Sequence, residues 1–483
     1  MSSMRPVQSF KCFRLARAPL AAWLLTASAA VFGQATPAVS TVFAFNGSAP
    51  NGGLVQGPDG GLYGTTSSNT LISGGLIYRS TVNGSSVRTL HQLTTEEGYA
   101  PKAGLLKGSD GLLYGSTRLG MPTVAFTTGT TYRMAFDGTH FEILHRFGVY
   151  VLVNVNGNPI NDDGAYPESA LIEGSDGYLY GVTRAGGTNG TGVIFRQSRD
   201  GSTFSVLHHF GLVSSLVTDN VVKNPDGSSP VGSLVQAPDG YLYGTAAVGG
   251  VSGRGTLFRI QTDGSGFAVV HEFTDLSSAT PPLNLDGATP VAGLVNGGDG
   301  LLYGVASTGG ANGVGTLFSL DPNSEDPTTA DPDDKLLTVL HHFDTPNGSS
   351  PIAALIVGTD SRLYGVTAGG GTNSSGATTN FGTVYSIDRA GADFTKLLSF
   401  DGNDGSGPYG PLLQLNATTF VGIAAAGGKC GQGTLFQYSS TGEKVTGNTT
   451  CGQKKNKSGG GSIAPGLFLL FGTLGFSRRR RRA

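Results

Sequence analysis

One tripeptide constrains this chain more than any other feature. Leu-Tyr-Gly stands at Leu62-Tyr63-Gly64, Leu113-Tyr114-Gly115, Leu179-Tyr180-Gly181, Leu242-Tyr243-Gly244, Leu302-Tyr303-Gly304 and Leu363-Tyr364-Gly365, with a worn copy at Phe420-Val421-Gly422. Successive copies are 51, 66, 63, 60, 61 and 57 residues apart. Self-similarity at such a period means one supersecondary unit used many times, because a single unit cannot bury its own apolar faces.

Aligned on the tripeptide, each unit carries four short strand signals. Strand a is expected between a proline and a leucine four residues on: Pro50 to Leu54, Pro101 to Leu105, Pro167 to Leu171, Pro230 to Leu234, Pro290 to Leu294, Pro351 to Leu355 and Pro408 to Leu412. Tight turns follow, as at Asp59-Gly60, Asp110-Gly111 and Asp299-Gly300, where Asp-Gly suits positive φ. Strand b is the Leu-Tyr-Gly element. A Gly-Gly loop (Gly186-Gly187, Gly249-Gly250, Gly309-Gly310, Gly369-Gly370, Gly427-Gly428) leads to strand c, as in Gly315-Thr316-Leu317-Phe318. Strand d ends in runs such as Leu207-His208-His209-Phe210. The second unit lacks the Gly-Gly pair and the seventh lacks the tyrosine, so those two are expected to be less regular. Seven such units predict an all-β, seven-bladed propeller of four-stranded antiparallel blades, which removes exposed sheet edges by radial repetition. The last unit lacks a clear strand d, with only Glu443-Lys444-Val445 to offer, and the N-terminal run Ser40 to Phe45 is an unmatched d-like strand. Its expected place is in the seventh blade, sealing the ring. The glycine of Leu-Tyr-Gly is expected to admit a neighbouring ring or backbone.

Composition agrees. The chain has 483 residues and 78 glycines, with 13% charged residues, 25 Phe and 16 Tyr; turn-rich β structure needs that glycine, and the aromatics can fill a core. The net charge of −2 conceals an acidic body: without residues 1–35 and 459–483, 22 basic side chains face 33 acidic ones. Such a body repels phosphates, which disfavours nucleic-acid partners.

The ends read as targeting segments. Residues 1–35 combine Arg5, Lys11, Arg14 and Arg17, an apolar run from Ala18 to Phe32, and small residues at Gly33 and Ala35, the layout of a signal peptide. The propeller is assigned to 38–447, a Gly/Lys-rich linker to 448–462 and a sorting or anchor segment to 463–483. The last has a short apolar span, Ile463 to Phe476, before Arg478 to Arg482, a cluster expected to stay cytoplasmic. Cys12 lies in the leader. Cys430 and Cys451 remain, and in an exported chain the default reading is a disulfide.

The repeated Gly-x-Asp-Gly-x-Leu-Tyr-Gly, followed by Gly-Gly and Gly-Thr-x-Phe, resembles the GloVer tandem repeats of bacterial exported proteins with varied C-terminal anchors. The likeness covers roughly residues 40–440. It implies location and repeat architecture, not an activity. The glycines, span and arginines of the tail resemble GlyGly-type C-terminal sorting signals, which implies that the tail engages the membrane and a rhomboid-like sorting protease.

Recognition is expected on the face bearing the b–c and d–a loops, because the a–b turns, and most c–d turns, are tight and the d–a connections are long. Candidate ligand-binding residues there are Arg118, Arg184, Asn189, Arg254, Asn312 and Asn373, with Asp162, Asp163, Glu168, Asp219 and Asp226 in d–a loops. The alternative is that such side chains cap their own turns. The glycine loops lack the following helix that a phosphate loop requires. His91, His145, His208, His271 and His341 recur in strand d, with Ser399 and Phe43 read in the other two units; a structural role is expected of them, since equivalent positions lie apart around a ring. The acidic 321–334 stretch could hold Ca2+ through oxygens but lacks EF-hand spacing; no other cofactor or metal is expected, and no catalytic motif stands above the repeat. Three functions follow: a monomeric binding module for an extracellular glycan or protein, which is preferred; a polysaccharide hydrolase or lyase on the same face, which would need two facing carboxylates; and a purely structural module.

Overall fold

The computed structural model describes residues 37–67, 74–120, 128–149, 152–154, 157, 159–212, 223–275, 277, 283–324, 337–443 and 447. It is all-β. Seven antiparallel sheets follow one another along the chain, each with strands in the order a-b-c-d. In blade 5 these are Val295–Asn296, Leu302–Ala306, Thr316–Leu320 and Leu337–His342. A two-stranded hairpin, Leu152–Val153 with Pro159–Ile160, rides on the connection between blades 2 and 3. Among the described residues no helix is long and apolar enough to cross a membrane.

The ring is sealed as expected. Ala38–Ala44 pairs antiparallel with Thr434–Ser439, from Ala38 opposite Ser439 to Ala44 opposite Thr434, and supplies strand d of blade 7. The core agrees with closure. It divides into seven buried clusters, each formed between two adjacent blades. The cluster between blades 7 and 1 joins Val421, Ile423 and Leu435 to Leu62 and Tyr78 through Val42 and Phe45 of the N-terminal strand. Each strand b is apolar on both faces for this reason. In blade 5, Leu302 points into the interface with blade 4 and Tyr303 into the interface with blade 6.

The repeated residues now have physical jobs. The aspartate of each a–b turn caps a backbone amide two residues on and accepts the hydroxyl of the Leu-Tyr-Gly tyrosine. Tyr114 donates to Asp110 at 2.6 Å, Tyr180 to Asp176 at 2.6 Å and Tyr303 to Asp299 at 2.7 Å. Blade 7 has Val421 there and does without. The glycine of the tripeptide lies under the aromatic ring of its cross-strand partner: a Cβ on Gly304 would meet the Phe318 ring at 2.6 Å.

Strand a departs from expectation. In blades 2, 3, 5 and 6 its ladder holds only two residues, beginning just after the leucine, as at Leu106–Lys107. The Pro-to-Leu stretch instead builds the junction between blades. In all seven junctions the proline ring packs on the glycine that opens strand c of the preceding blade; a Cβ on that glycine would lie 2.5–2.8 Å from the proline Cδ. Pro101 meets Gly75, Pro167 meets Gly129, Pro230 meets Gly192, and so on round to Pro50 on Gly433. The residue before the proline adopts left-handed φ at Ala100, Tyr166, Ser229, Thr289, Ser350 and Gly407. Its amide donates to the preceding blade, for example Ser229 to the Thr191 carbonyl at 2.9 Å. At the five non-glycine positions this is strain, which persists only where the surroundings over-determine it.

Gly433 and Gly431 separate the junction from mere turn geometry. Both have positive φ, +93 and +71, but only Gly433 faces neighbours, with the Ala424 carbonyl 2.4 Å and Pro50 Cδ 2.8 Å from a built Cβ. Gly433→Ala is expected to cost about 2–4 kcal/mol in denaturant unfolding and Gly431→Ala about 1 kcal/mol. Equal losses would show that the blade contact is not what Gly433 serves.

Candidate functional site

The six residues predicted as ligand contacts fall into two groups. Asn189 and Asn312 direct their amides to backbone carbonyls after strand d, and Asn373 caps its own turn. Asn189 Nδ2 donates to the Phe210 carbonyl at 2.7 Å and Asn312 Nδ2 to the Phe343 carbonyl at 2.9 Å. Asn373 Oδ1 accepts from the amides of Ser375 and Ala377. Arg254 pairs with Asp275 at 3.0 Å on the outer loops. These four serve their own loops. Arg118 and Arg184, by contrast, both act on the charge of Lys102, the residue after a junction proline.

Their position follows from the repeat. Both stand third after the tripeptide glycine, where strand b reaches the loop face. The other blades have Ser67, Ala247, Ser307, Ala368 and Ala425 there. The same asymmetry marks the residue after each junction proline, half-buried in all seven blades: Asn51, Lys102, Glu168, Val231, Val291, Ile352 and Tyr409. Blades 2 and 3 alone carry charge at either position. Arg118 forms an ion pair with Glu168 and lies over the Tyr166 ring, 5.1 Å from its centroid. Burial holds the Lys102 ammonium below the usual lysine range; Glu168 opposes the shift, while Arg118 and Arg184 add to it. Burial raises the Tyr409 hydroxyl, and Glu168 raises it further. Tyr409 belongs to blade 7 and Glu168 to blade 3, with blades 1 and 2 between them, so their fields meet across the axis. Glu168 is the one carboxylate among the described residues that reaches Lys102 or Tyr409. Lys102 and Tyr409 were not singled out from the sequence. The available signal was a variable column beside an invariant proline.

The remaining acids of the loop face are structural or lie outside the described residues. Asp163 accepts the amide of Gly148 at 2.9 Å and His145 Nε2 at 2.9 Å; Asp226 accepts the amide of Gly211 at 2.8 Å and His208 Nε2 at 3.0 Å. Asp162 is exposed, and Asp219 lies outside the described residues. The strand-d histidines are therefore structural, as expected. His145 stacks on Phe204 and His208 on Phe267 of the next blade, each with centroids 3.6 Å apart. One alignment needs correction: the strand register places Leu398, not Ser399, at the histidine position of blade 6, since Leu398 opposes Val384 as His208 opposes Ile194. Ser399 occupies the next position and accepts the Thr372 amide at 3.1 Å. Likewise the glycine pair of that blade is Gly370-Gly371, not Gly369-Gly370, because Gly370 is the one whose carbonyl accepts from Gly382.

A shallow groove opens on the opposite face, between the turns of blades 2 and 3, lined by Asp110, Arg133, Asp176, Tyr178, Arg199 and Asp200. Its polar side chains are already engaged. Asp110 and Asp176 hold tyrosine hydroxyls, Arg133 holds Glu142 at 2.7 Å and Arg199 holds Glu173 at 3.3 Å. The axial mouth is the better site because its cations are not all matched. Among the described residues neither the Lys102 ammonium nor the Arg184 guanidinium has an ion-pair or hydrogen-bond partner. Residues 325–336, the bulk of the acidic stretch considered for Ca2+, lie outside the described residues, as do Cys451, the leader and the tail.

Where the histidine is missing, its acid is left over. Asp404 takes the place of Asp163 and Asp226 at the blade 6–7 junction, its carbonyl accepting from Thr434 as that of Asp226 accepts from Thr256. Burial pushes its carboxyl up to about 7, with repulsion from Asp401 adding to the effect. A carboxyl whose folded pKa exceeds its unfolded one disfavours the fold once ionised. Stability is then lost as pH rises from the ordinary carboxylate range to about 7. Asp404→Asn keeps the acceptor for the Asp401 amide, now 3.0 Å away. Its stability relative to the parent is expected to improve by roughly 1–2 kcal/mol between pH 4 and pH 8. A pH-independent difference would contradict this.

Comparison with solved structures finds weak likenesses. The GH74 xyloglucanase from Xanthomonas campestris is 14% identical, with 80% of this chain and 52% of that one covered, at a TM-score of 0.48. A protein of unknown function from Bacteroides thetaiotaomicron is 12% identical over 84% and 76%, at 0.42. TolB from Acinetobacter baumannii is 10% identical over 71% and 62%, at 0.35. Similarity this low bears on no activity. No curated protein matches the chain. Matches to the Gloeobacter/Verrucomicrobia repeat, in contrast, span residues 30–220, 148–285 and 283–474. With all seven blades inside those spans, the chain belongs to the Gloeobacter/Verrucomicrobia repeat family.

Proposed function

We propose that this protein is an exported, non-enzymatic binding propeller whose axial mouth takes an acidic group of an extracellular glycan or protein. The observation that carries this reading is that Lys102 feels two arginines, Arg118 and Arg184, against the single carboxylate of Glu168, which Arg118 already holds. Arg118 is neutralised by Glu168, so two half-buried cations remain on a molecule whose body is acidic. An arginine fork and an ammonium in partly desolvated surroundings suit a carboxylate. Hydrolysis of a glycoside would call for two facing carboxylates, and Glu168 is alone among the described residues in this cluster. The signal peptide of residues 1–35, the Cys430–Cys451 disulfide and the processed tail complete the proposal: the leader exports the chain, and the bond would tie the C-terminal segment to the b–c loop of blade 7.

The test is calorimetric titration of the full chain with acidic and neutral oligosaccharides and peptides, repeated with Lys102→Ala and Arg184→Ala. Acidic ligands are expected to bind, with about 10–100-fold weaker affinity in each variant and a loss of affinity in high salt. Binding that ignores both substitutions, or turnover of a polysaccharide, would refute the reading.

A further inference from the structure

The mouth narrows where the blades crowd together beneath it. Just below it, the second and third residues after each junction proline are small almost without exception: Gly52-Gly53, Ala103-Gly104, Ser169-Ala170, Gly232-Ser233, Ala292-Gly293, Ala353-Ala354 and Gly410-Pro411. Neighbouring blades touch backbone to backbone here. A Cβ on Gly52 would lie 2.3 Å from the Gly104 nitrogen, on Gly232 2.6 Å from the Ala292 carbonyl, on Gly293 2.6 Å from the Ser233 carbonyl, and on Gly410 2.3 Å from the Gly52 carbonyl. Seven strands at a spacing of about 4.8 Å would stand only roughly 5 Å from the axis. A polypeptide with side chains cannot thread that waist, so a ligand entering along the axis must present an end.

The mouth above is also two-sided. Lys102 and Arg184 stand on blades 2 and 3. The residues at the position of Lys102 in blades 4, 5 and 6 are Val231, Val291 and Ile352, all half-buried and without donors. A sugar ring surrounded by hydroxyls would leave its polar groups unmatched against that aliphatic side. A group that is anionic on one side and apolar on the other, and that is a chain end, fits both halves. We propose that the axial mouth captures the carboxy-terminus of a polypeptide end-on, the free α-carboxylate between Lys102 and Arg184 and an apolar last side chain against Val231, Val291 and Ile352. This rests on the anion-binding reading above and narrows it to one ligand class.

Fluorescence anisotropy of the full chain with a labelled peptide ending in leucine tests it, against the same peptide carboxy-amidated, the same peptide ending in aspartate, and oligogalacturonate. The free-acid leucine peptide is expected to bind at least tenfold tighter than the amide and than the aspartate-ended peptide. Arg184→Ala should abolish the preference for the free acid, and Val291→Asp the preference for leucine. Unchanged thermal melts would certify that both variants are folded, and Lys102→Gln serves if Arg184→Ala does not fold. Equal binding of acid and amide overturns the proposal. Binding of oligogalacturonate without the peptide overturns it while leaving the anion-binding reading intact. Binding of none of the anionic probes defeats both.

Discussion

The architecture depends on a contact between a proline and a glycine. Each blade begins with a proline whose ring seats on the glycine that opens strand c of the blade before it. The glycine is required twice over, by positive φ and by the ring against it. The proline fixes its own φ and gives up an amide that the junction does not use. At six of the seven junctions the residue ahead of it is bent into left-handed φ so that its amide reaches the preceding blade. Because this contact recurs at all seven junctions, the seventh being Pro50 on Gly433, it fixes blade to blade rather than strand to strand. The apolar clusters between blades then supply the bulk of the stabilisation.

From that junction the axial site follows. The proline places the next side chain at the loop-face end of the innermost strand, and the two residues after it must be small where the blades crowd together. The result is a narrow waist beneath a ring of seven free choices. Blades 4 to 6 fill their choices with Val231, Val291 and Ile352, blades 2 and 3 with Lys102 and Glu168, and blade 7 with Tyr409. The two arginines at the ends of strand b join the charged half. A symmetric scaffold thus carries an asymmetric site, which is how a repeat fold acquires a particular ligand.

The fold could be read from residues because its periodic elements are local. Asp-Gly turns, the Leu-Tyr-Gly strand and the Gly-Thr-x-Phe strand each declare themselves within a few residues, and the unmatched run Ser40 to Phe45 had one vacant edge to fill. Strand a was read less well, because a proline and a leucine four apart look like a strand while their work is done across the blade junction. The site was legible in part. Arg118, Arg184 and Glu168 were among the polar residues of the right face, but Asn189, Asn312, Asn373 and Arg254 looked equivalent to them. What separates the groups is whether the side chain is engaged within its own blade or acts on the charges of a neighbouring one, and that is a property of the ring. Lys102 and Tyr409 were missed because adjacency to a proline reads as turn chemistry until the seven prolines are seen to circle one axis. The carboxylates that partner the histidines were missed as a set, although Asp-Gly-x-x-Pro at Asp163, Asp226 and Asp286, repeated without its histidine at Asp404, was present to be found.

Closure of the ring by the N-terminal strand is the claim on which the faces, the waist and the mouth all rest, and native-state hydrogen exchange addresses it most directly. If Ala38–Ala44 is the outer strand of blade 7, its ladder amides will be protected to a degree comparable with those of Thr434–Ser439, and the two sets will open together as denaturant is added. Exchange of residues 38–44 at the rate of a free chain end, with the Thr434–Ser439 amides still protected, would contradict a sealed seven-bladed ring.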